Sequence, residues 1–103
     1  MRLPWLRVAV RGLSMLPTLA PGEYVVARRG TPPRPGAVVV VRRPDRLVVK
    51  RVTRLTGDGR VWVQGDNDAV TTDSRTFGPV ERADVLGEVR WRYYPLRAAG
   101  RVR

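Results

Sequence analysis

The chain has 103 residues, 43% of them apolar, and a formal net charge of +11, which fits one small globular domain spanning 1–103 and argues against disorder. With no histidine and no cysteine, it cannot build a Ser-His-Asp or Cys-His catalytic set, a structural zinc site, a disulfide or a redox pair. A hydrolase made from this chain must pair Ser or Thr with a lysine or carboxylate base, or use an oxygen-ligated metal.

Short β-rich runs separated by Pro and Gly predict an all-β domain. Arg7 to Arg11 reads as a short strand leading into Gly12. Leu13 to Leu19 has room for a single helical turn. After the turn Ala20-Pro21-Gly22, Glu23 to Arg29 is a second strand. Thr31-Pro32-Pro33-Arg34-Pro35-Gly36 is a rigid connector that cannot join a ladder. Ala37 to Arg42 follows as a buried strand, and Pro44-Asp45 turns into a fourth strand, Arg46 to Leu55. Gly57-Asp58-Gly59 marks a hairpin before Arg60 to Gln64. Gly65 to Pro79 reads as a long polar loop and Val85 to Tyr94 as a last strand.

The basic residues are spread along the chain, with pairs at Arg28-Arg29 and Arg42-Arg43, as in a solvated arginine coat more than a dedicated binding patch. The longest apolar run, Ala37 to Val41, is far short of the roughly 20 residues of a membrane-spanning helix. Arg7 and Arg11 interrupt the amino-terminal stretch before a signal sequence can accumulate. The expectation is a soluble, cytoplasmic chain, with its charge allowing peripheral membrane association. Trp5, Trp62, Trp91, Tyr93 and Tyr94 could be mistaken for a base-stacking platform. Their places within strands fit core or half-exposed packing better.

Of the 20 basic residues one is a lysine, Lys50, and lysine differs from arginine in being able to act as a neutral amine. Strand alternation puts Val48, Lys50 and Val52 on one face and Leu47, Val49 and Arg51 on the other. Flanking β-branched residues disfavour the ammonium form and would suit a general base. A lysine snorkelling to water from an edge strand would show the same pattern.

Three separated segments carry a resemblance. Gly12-Leu13-Ser14-Met15-Leu16-Pro17-Thr18-Leu19 resembles the serine-bearing motif of the type I signal peptidase family, and Val49-Lys50-Arg51-Val52 resembles its lysine-bearing box. Gly65-Asp66-Asn67, with Thr71, Asp73-Ser74-Arg75 and Gly78-Pro79-Val80, resembles its third box. The order and approximate spacing match, so the chain is similar to the catalytic core of these serine proteases, a small coiled β-barrel, without their membrane-spanning helix or large inserted β region. Pro32-Pro33-Arg34-Pro35-Gly36 before a valine-rich strand, in an arginine-rich setting, resembles the members that mature nickel-type superoxide dismutase.

The resemblance implies a Ser/Lys dyad needing no cofactor and no metal. Ser14 attacks the scissile carbonyl, and Lys50 accepts and returns the proton. Gly12 and Pro17 help form the turn that presents Ser14, whose backbone N–H is one oxyanion donor. Some members have a serine donor where Gly12 stands, so the second donor is unassigned. Thr71 falls where the family places a hydroxyl that orients the lysine. Asp73 and Arg75 form an ion pair beside Ser74, and Gly65, Asp66 and Asn67 support the turn into that loop. Met15 and Leu16 anchor the turn in the core. The implied partner is a precursor protein bound as an extended peptide between Arg7 to Arg11 and Leu47 to Val49, with small side chains next to the cut. Two alternatives are a self-cleaving relative of the LexA-type repressors, disfavoured by the lack of a DNA-binding domain and cleavage segment, and a basic β-barrel module that binds nucleic acid.

Overall fold

The computed structural model describes residues 3–69 and 79–103. The described chain forms eight strands: β1 (Trp5–Ala9), β2 (Tyr24–Arg29), β3 (Val38–Arg42), β4 (Leu47–Leu55), β5 (Arg60–Gln64), β6 (Val80–Glu81), β7 (Val85–Tyr94) and β8 (Gly100–Arg101). Two single 3₁₀ turns, Arg82–Asp84 and Leu96–Ala98, flank β7. All pairings are antiparallel, in the order β1-β2-β7-β3-β4-β5-β6, with β8 added to β7. The all-β expectation holds, and the sheet is a curled half-barrel.

The predicted strands over Arg60 to Gln64 and Val85 to Tyr94 coincide with β5 and β7. The first differs. Apolar alternation at Val8 and Val10 points to Arg7–Arg11, whereas pairing with β2 starts at Trp5↔Arg28 and ends at Ala9↔Tyr24, and Arg11 is already leaving for the turn at Gly12. Leu13–Leu19, where a single helical turn is expected, makes consecutive turns, held by Leu16 N–H to the Leu13 carbonyl (3.2 Å) and, with helical i to i−4 spacing, Leu19 N–H to the Met15 carbonyl (2.9 Å). β6 and β8, two residues each, are too short to leave an alternating pattern.

β3 sits between β7 and β4 and buries Val38, Val39, Val40 and Val41 in succession. Val38 and Val40 join one apolar cluster with Val8, Val25 and Val89. Val39 and Val41 join a second with Val52, Val61 and Val63. The curled sheet therefore has apolar packing on both faces of its middle, and each fully buried valine contributes about 1.5–3 kcal/mol. Gly87 allows this curvature, because a Cβ there would lie 2.5 Å from the Arg28 carbonyl oxygen of β2.

Besides the two-residue strands β6 and β8, the ladders leave two edges open beside the Ser14 turn. β1 pairs with β2 alone, and Leu47–Lys50 of β4 pairs with β3, while β5 joins β4 from Arg51 onward. Among the described residues, neither edge has a second neighbour. No helix among them is long and apolar enough to cross a membrane.

The aromatic residues fit the half-exposed expectation. Trp5, Trp91 and Tyr94 are exposed, and Trp62 and Tyr93 are half-buried. They pack with neighbours in the sheet: Arg28 lies over Trp5, Arg54 lies over Trp62, and Tyr24 contacts both Tyr93 and Tyr94.

Candidate active site

The turn that carries Ser14 is built from β1 outward. Gly12 has φ +72°, a left-handed conformation that a side chain disfavours, and it reverses the chain immediately before Leu13 and Ser14. Met15 (1% exposed) and Leu19 (0%) bury their side chains in the first cluster, which pins the turn from below. Leu16 is half-buried. The Leu16–Pro17 peptide bond is cis. With Met15 held inside, Ser14 is left partly accessible.

Lys50 lies on β4, opposite Val39 of β3. Val49 belongs to the first cluster and Val48 and Val52 to the second, so alternation places Lys50 on the side of the second, as its sequence pattern predicts. It is 3% exposed. That degree of enclosure removes the snorkelling alternative, in which the ammonium would reach water. Ser14 and Lys50 line the same cavity, of about 300 Å³, between Ala9–Met15 on one side and Arg46–Lys50 on the other. Leu13 and Leu47 are exposed at its rim.

The segment after β5 closes around Ser14. A Cβ on Gly65 would lie 2.5 Å from the Ser14 carbonyl oxygen and 3.0 Å from the Ser14 Cβ, so glycine is required here by contact. Asn67 donates from its backbone N–H to the Ser14 carbonyl (2.9 Å) and from Nδ2 to the Leu13 carbonyl (3.0 Å). Its Oδ1 accepts from the Ala69 N–H. Asp66 accepts from the Thr18 hydroxyl and from Arg51 through two parallel bonds of 2.8 Å, Nε to Oδ1 and Nη2 to Oδ2. The Ser14 turn is thus held at Leu13, Ser14 and Thr18 by two consecutive residues of one loop, Asp66 and Asn67, with Gly65 packed against Ser14.

This fork is a charge-assisted pair of the strong kind. The hydrogen bonds from Arg51 hold the Asp66 carboxyl below the ordinary aspartate value against the opposing effect of burial, with help from Thr18. Asp66 in turn raises the Arg51 guanidinium. Arg51 also donates to the carbonyls of Gly36 (2.7 Å) and Arg103 (3.2 Å). Lys50 and Arg51 therefore point to opposite faces of β4 with separate tasks. Sequence reasoning named Asp66 as support but missed Arg51 and Thr18 as its partners. The signal was present in the Lys50-Arg51 pair and in the threonine four residues after Ser14.

A second tie secures the far end of the turn. Arg92 of β7 donates to Glu23 Oε1 (3.0 Å) and to the carbonyls of Thr18 (3.0 Å) and Ala98 (2.6 Å). Thr71, Asp73, Ser74 and Arg75 lie outside the described residues, as does Gly78. Among the described residues no group of His, Cys, Asp and Glu is arranged to hold a metal ion.

Residues 4–90 match the family model described as Peptidase S24-like. The mitochondrial ATP-independent inner membrane protease subunit 1a of Arabidopsis thaliana is 36% identical over 123 residues, covering 91% of this chain and 73% of the plant protein. The human mitochondrial inner membrane protease subunit 1 is 29% identical, covering 93% and 74%. A Synechocystis protein named "Probable signal peptidase I-1" is 24% identical, covering 86% and 71%.

Proposed function

Because the chain belongs to the Peptidase S24-like family and has signal-peptidase-like homologues, we propose that it is a serine endopeptidase with a Ser14/Lys50 dyad that removes an amino-terminal leader from a precursor protein. The observation that carries the reading is one cavity lined by both Ser14 and a lysine sealed from solvent. A neutral amine in that position takes the Ser14 hydroxyl proton as Oγ bonds to the scissile carbonyl carbon. When the C–N bond breaks, the same proton passes to the leaving amine, leaving an acyl-enzyme. Water then attacks the ester carbonyl, giving a proton to Lys50, which passes it to Ser14 Oγ as the acyl–oxygen bond breaks, so that the new carboxylate end is released and the Ser14 hydroxyl and neutral amine are restored. The Ser14 backbone N–H serves as one oxyanion donor, and Thr71 orients the amine.

The substrate is bound as an extended strand between the open edge of β1 and the Leu47–Lys50 edge of β4, where both can offer backbone hydrogen bonds. The substrate proposed is the nickel-type superoxide dismutase precursor, on the resemblance carried by Pro32 to Gly36, and the setting is the cytoplasm. The Synechocystis relative favours a second reading in which the precursors are exported proteins.

Incubating purified protein with a candidate precursor tests the dyad. Lys50→Arg keeps the charge but cannot serve as a base, and is expected to lower kcat by about 10²–10⁴-fold, with Ser14→Ala lower still. Undiminished cleavage by Lys50→Arg sinks the mechanism. A nucleic-acid module would instead bind in a salt-dependent way that survives both substitutions.

A further inference from the structure

We propose that Arg11 and Arg46, on the rim of the Ser14/Lys50 cleft, select precursors that carry an acidic residue a few positions from the bond to be cut. The inference rests on the dyad reading above and adds a substrate class to it. Among the described residues the cleft is lined by apolar side chains with two arginines among them, and no described aspartate or glutamate lines it. Val10, Met15 and Val49 are buried beneath it, which suits small uncharged side chains at the cut. Arg11 and Arg46 are both exposed, Arg11 within the first wall just past the exit of β1 and Arg46 at the outer end of the second, at the entry of β4.

Several arginines elsewhere are tied to carboxylates of other elements: Arg51 to Asp66, Arg34 and Arg90 to Glu88, Arg92 to Glu23, and Arg42 to Asp84, while Arg28 and Arg54 lie over tryptophan rings. The two at the cleft are not. The Arg46 side chain meets its sequence neighbour Asp45 at 3.3 Å, with both side chains more than half exposed, a weak contact. Arg11 makes no ion pair among the described residues. Two like charges beside low-dielectric walls focus a positive potential on an incoming chain, and each guanidinium offers a fork that fits a carboxylate.

Strand geometry gives the reach. At about 3.3 Å per residue, Arg46 lies roughly 13 Å along β4 from Lys50. A peptide laid against that edge with its scissile carbonyl at Ser14 therefore meets Arg46 about four residues from the bond. Arg11, three residues before Ser14 across a tight turn, meets it closer in. A precursor with arginine or lysine at those positions is repelled.

The test uses a set of precursor peptides with Asp, Ala or Arg placed two to five residues from the bond, on each side in turn, and reads kcat/KM. On the side lying along Leu47, Asp is expected to exceed Arg by about 5- to 30-fold at low salt, shrinking toward parity at 0.5 M salt. Arg46→Glu or Arg11→Glu levels or inverts the ratio. Arg97→Glu, the same charge change on the exposed Leu96–Ala98 turn, keeps it. If a glutamate variant fails to fold by circular dichroism, the glutamine variant replaces it and is expected to level the ratio. Equal rates for Asp and Arg peptides with the wild type, or a ratio unmoved by the cleft variants, overturn the inference while leaving the protease reading intact. A wild type that cleaves no peptide, and whose Ser14 is not labelled by a serine-acylating reagent, brings down both.

Discussion

A methyl group at position 65 would stand 2.5 Å from the Ser14 carbonyl oxygen, closer than any relaxed contact, so one of the two backbones must move. Neither is a flexible side-chain end that can swing aside. Gly65→Ala is therefore expected to cost about 1–3 kcal/mol of stability, as overpacking does. Its cost in peptide cleavage should be larger, on the order of 10²-fold, because a displacement of about 1 Å at the reacting group is enough for that. Thermal unfolding and kcat/KM measured on the same preparation separate the two effects; a variant that loses stability but cleaves normally would show that the Ser14 turn tolerates the shift. At this scale the sequence was informative where chemistry restricts residue type. Lysine among arginines marked Lys50, and the glycine, serine and asparagine of the boxes marked the loops. It could not show why Gly65 is glycine, since that depends on which backbone passes over it, and although Arg51 and Thr18 stand inside the two boxes, their pairing with Asp66 joins residues distant along the chain.

The loop after β5, the turn after β1 and the middle of β4 act as one unit through Asp66, Asn67 and Arg51. Elsewhere, Glu88 of β7 holds Arg34 of the proline-rich connector and Arg90. Burial pushes the Glu88 carboxyl upward, but the hydrogen bonds and charge of Arg34, with Arg90, outweigh it and leave the group below its ordinary value. Asp66 is lowered too. Both carboxyls thus hold protons less tightly in the folded chain than in the unfolded one. Their stabilisation is complete above the ordinary carboxylate range near pH 4 and is lost as pH falls through the lower folded values. The urea midpoint is expected to be level from about pH 7 to 5 and to drop toward pH 3. Asp66→Asn should begin lower at pH 7, by about 1–3 kcal/mol for a charged hydrogen-bonded group removed, and show a shallower acid drop. An unchanged acid limb in that variant would assign the dependence to other carboxyls. These pairs lie beyond periodicity. Strand positions were legible because alternation and turn residues are local signals, whereas the two-residue strands and the start of β1 are decided by their partners.

Among the described residues the sheet as a whole stops short of closing. β1 and Leu47–Val49 of β4 face each other across the cleft, and among the described residues no second strand pairs with either. The curl, set by cross-strand register and by Gly87 under β2, could not be inferred from strand lengths, although the barrel-like class could be inferred from the family resemblance. An extended peptide seated between the two edges would complete ladders on both sides, so binding should stabilise the fold as well as present a bond to Ser14. Ser14→Ala, which cannot turn over substrate, is the form in which to measure this. At a peptide concentration 100 times Kd, linkage gives about 2.7 kcal/mol, equivalent to a rise in Tm of roughly 10–20 °C for a domain of this size. The source of that gain can be separated from side-chain burial. A peptide of identical side chains, N-methylated at alternate residues, keeps its apolar contacts but loses ladder donors, and is expected to give little or no shift when the methylated set faces an edge. If both peptides raise Tm equally, the chain is held by its side chains alone and the open edges do not pair with substrate.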